Sequence, residues 1–347
     1  MSPDTFTRRE HGGPDARGAA AFDFSTNANA CGPCPPALAA VQRADAGRYP
    51  DPHYTALREK LAARHAVAPG RIVMAASASD CIFRLTAYAA QRGLRRVSVP
   101  AHGYGDYTHA AQAWELAVAV RDEDTPVFTR MAALAWACDP ASPTGEDDPP
   151  PFPAPAMTAL DCAYAPLRLS GRSVWYGAPR DRAWQLWSPN KALGLTGIRA
   201  AYAIAPQGAE DEARALERLA PSWPIGAHGV ALLEAWCGAA TADWLAESLE
   251  QLRGWKTRQR VLCDTMGWDC AAGHANFYCA RPPLPAGMRL AELLAALRAQ
   301  GVALRDAASF GLAHTVRLSV QPPAAQDALR RAWAAATAPA QAARRAR

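Results

Sequence analysis

Six short apolar runs, at 97–99, 116–120, 133–138, 157–161, 184–187 and 200–204, are separated in several places by stretches with apolar residues at helical spacing. Runs this short and this apolar suit strands covered on both faces, and helical connections between strands go with parallel pairing. The chain is therefore constrained to an α/β fold, a mostly parallel sheet with helices on both faces. A further strand, 71–75, leads through small residues into a helix that begins near Asp80. Upstream, residues to about 32 read as an extended arm, Pro35 and Pro36 open a short helix to Val41, 48–52 is a rigid turn, and 54–67 carries helical spacing. From 209 to 267 the pattern is helical apart from a break at 221–224. Strands near 276–280 and 315–320, with helices near Leu290 and Ala324, then form a smaller α+β lobe. The expected division is an arm with part of the small lobe at 1–41, a large domain at 42–220, a small domain at 221–336 and a disordered tail at 337–347.

Composition narrows the function classes. Half of the 347 residues are hydrophobic and 20% are charged, as in an ordinary globular protein. No apolar stretch reaches the ~18 residues of a membrane span, and residues 1–10 are polar with no apolar signal core, so the expected location is the cytoplasm. The formal charge is +5, but Arg344, Arg345 and Arg347 supply three of those charges and the rest of the chain carries +2. That is too little for a basic groove, and no nucleic-acid-binding signature accompanies it. Nine scattered cysteines without a secretory signal favour reduced thiols. Cys31 and Cys34 form a C-x-x-C in a Gly/Pro-rich loop with no second pair for a metal, so no metal site is expected.

Of 37 basic residues only Lys60, Lys191 and Lys256 are lysines. Lys60 follows Glu59 on an amphipathic helix and Lys256 lies in the charged stretch 253–260, so both read as solvated. Lys191 sits in Ser188-Pro-Asn190-Lys191-Ala-Leu-Gly194-Leu-Thr-Gly197-Ile-Arg199, in a small-residue loop just after an apolar strand and without an acidic partner. A Schiff base needs an amine that deprotonates near neutral pH, which arginine does not supply. Ser188 and Arg199 in the same loop suit a phosphate, the arginine by charge-assisted hydrogen bonds.

The loop resembles the S-x-x-K-x-x-x-x-x-G-x-R signature of fold-type I pyridoxal-phosphate enzymes, and other segments match that family in order. Asp161-Cys-Ala-Tyr164 resembles D-x-A-Y, which implies that Asp161 pairs with the pyridine nitrogen and Tyr164 reaches the ring hydroxyl. Taken alone, Asp161 reads equally well as a strand-end helix cap. Asp139-Pro-Ala-Ser142-Pro-Thr-Gly145 resembles N-P-x-N-P-T-G with Ser142 in place of the asparagine, and a proline-rich run at 149–155 replaces the helix usual before the aspartate. Ser77, Ala78 and Ser79 match the phosphate-binding turn at a helix start, and Tyr104 the aromatic that stacks on the ring. Asn190 replaces the serine usual before the lysine and is kept as a phosphate-side residue. Arg48-Tyr49-Pro50 resembles the element that sends a tyrosine to the neighbouring subunit's cofactor phosphate, which implies a homodimer with shared sites.

The resemblance runs from about His11 to Ala335 and is nearest to histidinol-phosphate aminotransferase and threonine-phosphate decarboxylase. Arg305 and Arg317 resemble the arginines that engage substrate anions there. His11-Gly-Gly13, Asp23-Phe-Ser-Thr-Asn27-Ala-Asn29 and Gly32-Pro33 resemble the decarboxylase's arm, which places His11 and Asn29 at the substrate. The implied catalytic residues are Lys191, Asp161 and Tyr164, with pyridoxal 5'-phosphate as cofactor and a small amino acid phosphate as substrate. The leading expectation is decarboxylation of O-phospho-L-threonine to aminopropanol phosphate in cobalamin synthesis. Transamination of the histidinol-phosphate type is the alternative, and a non-catalytic cofactor-binding relative is the reading from another class.

Overall fold

The computed structural model describes residues 11–121, 133–152 and 154–345. The polar start at 1–10 and Arg347 of the tail lie outside the described residues. Thirteen strands are present among them: β1 (Phe22–Asp23), β2 (Ile72–Ala75), β3 (Arg96–Pro100), β4 (Ala117–Arg121), β5 (Leu134–Cys138), β6 (Met157–Asp161), β7 (Trp184–Trp187), β8 (Ala201–Ile204), β9 (Asp269–Cys270), β10 (Phe277–Arg281), β11 (Val302–Ala303), β12 (Arg305–Asp306) and β13 (Val316–Ser319). Seven of them form the main sheet in the order β2-β8-β7-β6-β5-β3-β4. Pairing is parallel except at β8, which runs antiparallel to both β2 and β7. The α/β class and the mostly parallel sheet read from the apolar runs are thus what the chain adopts.

Alternation along the strands divides the core in two. Val73, Ala75, Trp136, Trp184 and Leu186 point to one face, where the helices Ala78–Gln91, Gly105–Ala113 and Glu210–Glu217 cover them. Met74, Ala137, Leu160, Trp187 and Tyr202 point to the other, against the helices Pro35–Gln42, Thr55–His65, Ala227–Trp236 and Ala239–Thr265. On this second face the β5-to-β6 connection, 139–156, contains no helix among its described residues. The β6-to-β7 connection holds only a 3-10 turn, Ala165–Leu167, and one helical turn, Ala178–Asp181.

A four-stranded antiparallel sheet, β12-β13-β10-β9, forms the second lobe with the helices Leu290–Ala299 and Pro323–Arg345. The arm joins it by a parallel pairing of β1 with β11. The last helix extends into the segment read from sequence as a disordered tail, and its run of alanines supplies the helix propensity. Lys256, read as solvated, is instead half-buried and donates to the carbonyls of Gly273 and Ala275 at 2.6 and 2.8 Å. Lys60 does lie at the surface, paired with Glu234 at 2.7 Å. No helix among the described residues is long and apolar enough to cross a membrane.

Candidate active site

Carboxyl ends of parallel strands leave a crevice wherever successive connections diverge, and ligands of open α/β sheets occupy it. Here a cavity of about 890 Å³ opens at the ends of β3, β5, β6 and β7. It is lined by His11, Ser77, Ala78, Ser79, Tyr104, Ser142, Asp161, Tyr164, Ser188, Asn190, Lys191, Arg199, Arg305 and Arg317. Of the site residues read from the sequence, Asn29 and Tyr49 fall outside it.

Asp161 ends β6 with its carboxylate buried. Oδ1 accepts from the Ala163 amide and Oδ2 from the Tyr107 hydroxyl, each at 2.9 Å. Burial pushes this carboxyl up, while the Ala163 amide, the Lys191 charge and the Tyr107 hydroxyl pull it back. Among the described residues no basic side chain lies within ion-pair distance of it. A buried carboxylate so arranged is suited to a cationic ligand atom, such as a protonated ring nitrogen. Tyr107 is itself fixed by stacking on Trp136, with centroids 4.7 Å apart and planes 6° apart. Tyr104 stands edge-on to Tyr107 at 5.9 Å, its hydroxyl 3.3 Å from Ser79 Oγ.

Lys191 leaves β7 on a loop that the arm clamps from behind. The amide of Asn29 donates to the Lys191 carbonyl at 2.9 Å, and that of Cys34 to the Leu193 carbonyl at 2.8 Å. This close approach requires Gly194, which has φ +65° and where a Cβ would stand 2.5 Å from the Gly32 carbonyl oxygen. The Lys191 Nζ lies 5.2 Å from the centroid of the Tyr164 ring, whose edge is set against Phe277.

The donor set also fits a phosphate ester. Ser188 Oγ is buried with no partner, beside Arg199 in the cavity wall. Opposite, Ser77 caps the fourteen-residue helix Ala78–Gln91 by accepting from the Asp80 amide at 3.0 Å, which leaves the first-turn amides of Ala78 and Ser79 at the cavity. Asn190 acts as a strut, its Nδ2 donating to the carbonyls of Thr196 and Ile198 at 3.4 and 3.5 Å.

The other wall comes from the small sheet. Arg305 and Arg317 are register partners on β12 and β13, and both guanidinium groups lie over Phe310, at 5.1 and 5.6 Å from its centroid. Arg317 is buried, and burial lowers its pKa from the ordinary arginine value. It donates to the Ser25 carbonyl at 2.9 Å and to Ser142 Oγ at 3.4 Å, with no carboxylate in ion-pair range among the described residues. Like charges held side by side in a nearly dry wall are stable with an anion between them.

Several residues of this site escaped the sequence reading. Tyr107, three residues beyond Tyr104, and Phe310 carry no signal of their own in the sequence. Asn27, not Asn29, reaches the cavity, with Nδ2 donating to the Tyr164 hydroxyl at 3.4 Å. Asn29 is turned away, bonded to the Ala192 carbonyl and Ser248 Oγ at 3.1 and 2.8 Å, so the structure gives it a loop-fixing place instead of a substrate contact. Asp23 ties the arm: its carboxylate accepts from the Ser25 amide and hydroxyl and from the Thr26 hydroxyl, which fixes the carbonyl that holds Arg317. An aspartate two residues before serine is the readable sign of such a turn. Tyr49 is 78% exposed and stacks on Trp223, away from the cavity of its own chain.

The sheet order, the cavity at its carboxyl edge and the second lobe closing over it define an enzyme with the aspartate-aminotransferase fold. Residues 185–335 match the family model "Aminotransferase class I and II". A histidinol-phosphate aminotransferase of Caulobacter vibrioides is 29% identical over 340 residues, covering 90% of this chain and 85% of that one. Among solved structures, histidinol-phosphate aminotransferase from Sinorhizobium meliloti in complex with pyridoxal-5'-phosphate is similar with a TM-score of 0.75 and 19% identity, covering 98% of this chain and 99% of that one. L-threonine-O-3-phosphate decarboxylase from Porphyromonas gingivalis is similar with a TM-score of 0.73 and 20% identity, covering 89% and 97%. Over residues 185–335 the chain is thus similar to the class I and II aminotransferases, and its fold is that of the fold-type I pyridoxal-phosphate enzymes.

Proposed function

We propose that this enzyme is a pyridoxal-phosphate-dependent aminotransferase of the histidinol-phosphate type, acting on small phosphorylated amino compounds. The observation that carries the reading is the arginine pair, Arg305 and Arg317, fixed over Phe310 in the wall of the cavity that Lys191 also lines. Curated relatives of similar length named histidinol-phosphate aminotransferase support transamination over the decarboxylation expected from the arm.

When bound, the cofactor supplies an electron sink for cleavage of a bond at the substrate α-carbon. Asp161 holds the positive charge at the ring nitrogen, and Tyr107 and the Ala163 amide keep its carboxylate aimed. Tyr164 would meet the ring hydroxyl, with Ser142 in the adjoining wall, and Tyr104 would pack on the ring. Ser77, Ala78, Ser79, Ser188 and Arg199 hold the phosphate, and Asn190 keeps the loop of Ser188 and Arg199 in shape. Lys191 would hold the cofactor through Nζ and, once free, would move the α-proton as general base and acid. Arg317 and Arg305 would orient the substrate's anionic groups and so position the α-carbon for reaction. His11, from the arm, closes the cavity beside Tyr104, at 6.2 Å between rings.

A second reading, decarboxylation of O-phospho-L-threonine, rests on the arm: the Ser25 carbonyl and Asn27 meet Arg317 and Tyr164 where a substrate carboxylate would lie. The exposed Tyr49–Trp223 stack supports a homodimer in which Tyr49 serves the partner's site. Light scattering during gel filtration checks this, since a fully active monomer would remove that role. For the reaction, the loaded enzyme is given histidinol phosphate with a 2-oxo acid, and separately O-phospho-L-threonine alone. Amino transfer without CO2 release supports the first reading. Stoichiometric CO2 from phosphothreonine overturns it in favour of the second.

A further inference from the structure

On the sheet face opposite the helix Ala78–Gln91, loops stand where crossover helices would cover β5 to β7, and a second cavity of about 630 Å³ lies there. It is separate from the Lys191 cavity, with no lining residue in common. Its floor is apolar, from Leu160, Leu245 and Leu249, and a volume in this range suits a small organic ligand.

The rim is cationic and aromatic. The Arg64 guanidinium lies 3.9 Å over the centroid of the Trp236 ring, and that of Arg180 lies 5.9 Å over Trp187. Stacking holds a guanidinium flat while leaving its N–H edge free to bind. Among the described residues neither arginine has a carboxylate within ion-pair distance; Arg180 donates only to the Gln185 amide oxygen, at 3.1 Å. The third arginine, Arg168, is already neutralised by Asp139 and Asp147, at 2.7 and 2.8 Å. An independent sign comes from Trp187, which lines the cavity at 8% exposure and whose indole Nε1 donor has no acceptor. A buried unsatisfied donor costs about 1–3 kcal/mol unless something accepts from it. His65 completes the wall, bonded to the Tyr202 hydroxyl at 2.7 Å. Burial, and then the charges of Arg64 and Arg180, lower its pKa to about 4, so at neutral pH it adds no charge to the two arginines.

We infer that this cavity is a second ligand site, which takes a small anion carried on a flat or apolar body, with Arg64 and Arg180 binding the anion and the leucine floor taking the body. The inference is independent of which reaction the first cavity performs.

Phenyl phosphate is the probe, titrated calorimetrically into the cofactor-loaded enzyme, with inorganic phosphate as the anion lacking a body. The expected result is a phenyl phosphate site at least tenfold weaker in Arg64→Gln/Arg180→Gln, retained in Arg317→Gln, and at least tenfold weaker for inorganic phosphate. Because both substituted side chains sit at the rim, the fold is expected to survive; amide exchange on the unaltered enzyme locates the site independently. Protection of 62–65 and 184–187 on adding phenyl phosphate supports the inference. Binding abolished by Arg317→Gln and kept in the double variant, protection confined to 305–317, or no binding overturns it.

Discussion

The two walls of the active-site cavity are built differently. The wall bearing Asp161 and Lys191 stands on strand ends of a seven-stranded sheet, backed by stacked aromatic rings and helix termini. The wall bearing Arg305 and Arg317 stands on one two-residue and one four-residue strand, and its buried arginine is tied to the rest of the site through an arm that crosses from the far end of the chain. The first wall is rigid by packing and the second by a handful of polar contacts. Chemistry that needs a fixed atom belongs on the first, and selection among substrates on the second.

Lys191→Ala is the sharpest way to break this division. Losing the base on the rigid wall is expected to lower turnover by roughly 10²–10⁴-fold in a steady-state product assay. Arg317→Gln removes the anion clamp and is expected to cost about 2–5 kcal/mol in kcat/KM, carried mostly by KM. If the loss fell on kcat alone, the second wall would be taking part in the chemistry.

The face of the large sheet away from the cavity gives a reference in which neither wall takes part. His65 has its pKa depressed from 6.5 to about 4, chiefly by burial. The unfolded chain therefore binds more protons than the native one between these values. Its contribution, no more than about 3 kcal/mol, is complete above about pH 6.5, is lost as pH falls towards 4, and is flat below. Urea unfolding at stepped pH is expected to show this slope, and His65→Gln to flatten it. The smallest effect belongs to Tyr107→Phe, which takes one hydrogen bond from Asp161 while keeping the stack on Trp136, at about 0.5–1.5 kcal/mol in kcat/KM. An effect as large as that of Arg317→Gln would show that the rigid wall relies on that bond.

The same contrast governs what could be read from the sequence. β6 and β7 match their apolar runs residue for residue because β7 is buried on both faces and β6 over its last three residues, and Asp161 ends the first strand while Lys191 follows the second within a few residues. Ser77 and Ser79 were legible because a helix start wants small capping residues. β11 and β12 are too short to carry any periodicity, so the register that puts Arg305 opposite Arg317 was invisible. The exchange of Asn29 for Asn27 has the same origin. An extended arm shows which residues are polar but not which way each one turns. Lys256 was misread because a charged helix stretch does not reveal the carbonyls of Gly273 and Ala275 that fold back against it.

The role of Lys191 is tested by the visible absorbance spectrum of the purified protein mixed with pyridoxal phosphate, recorded beside the Lys191→Ala variant. The band of the lysine-bound cofactor is expected in the wild-type protein and its loss in the variant. A band that survives Lys191→Ala, or its absence from the wild type, would contradict that role.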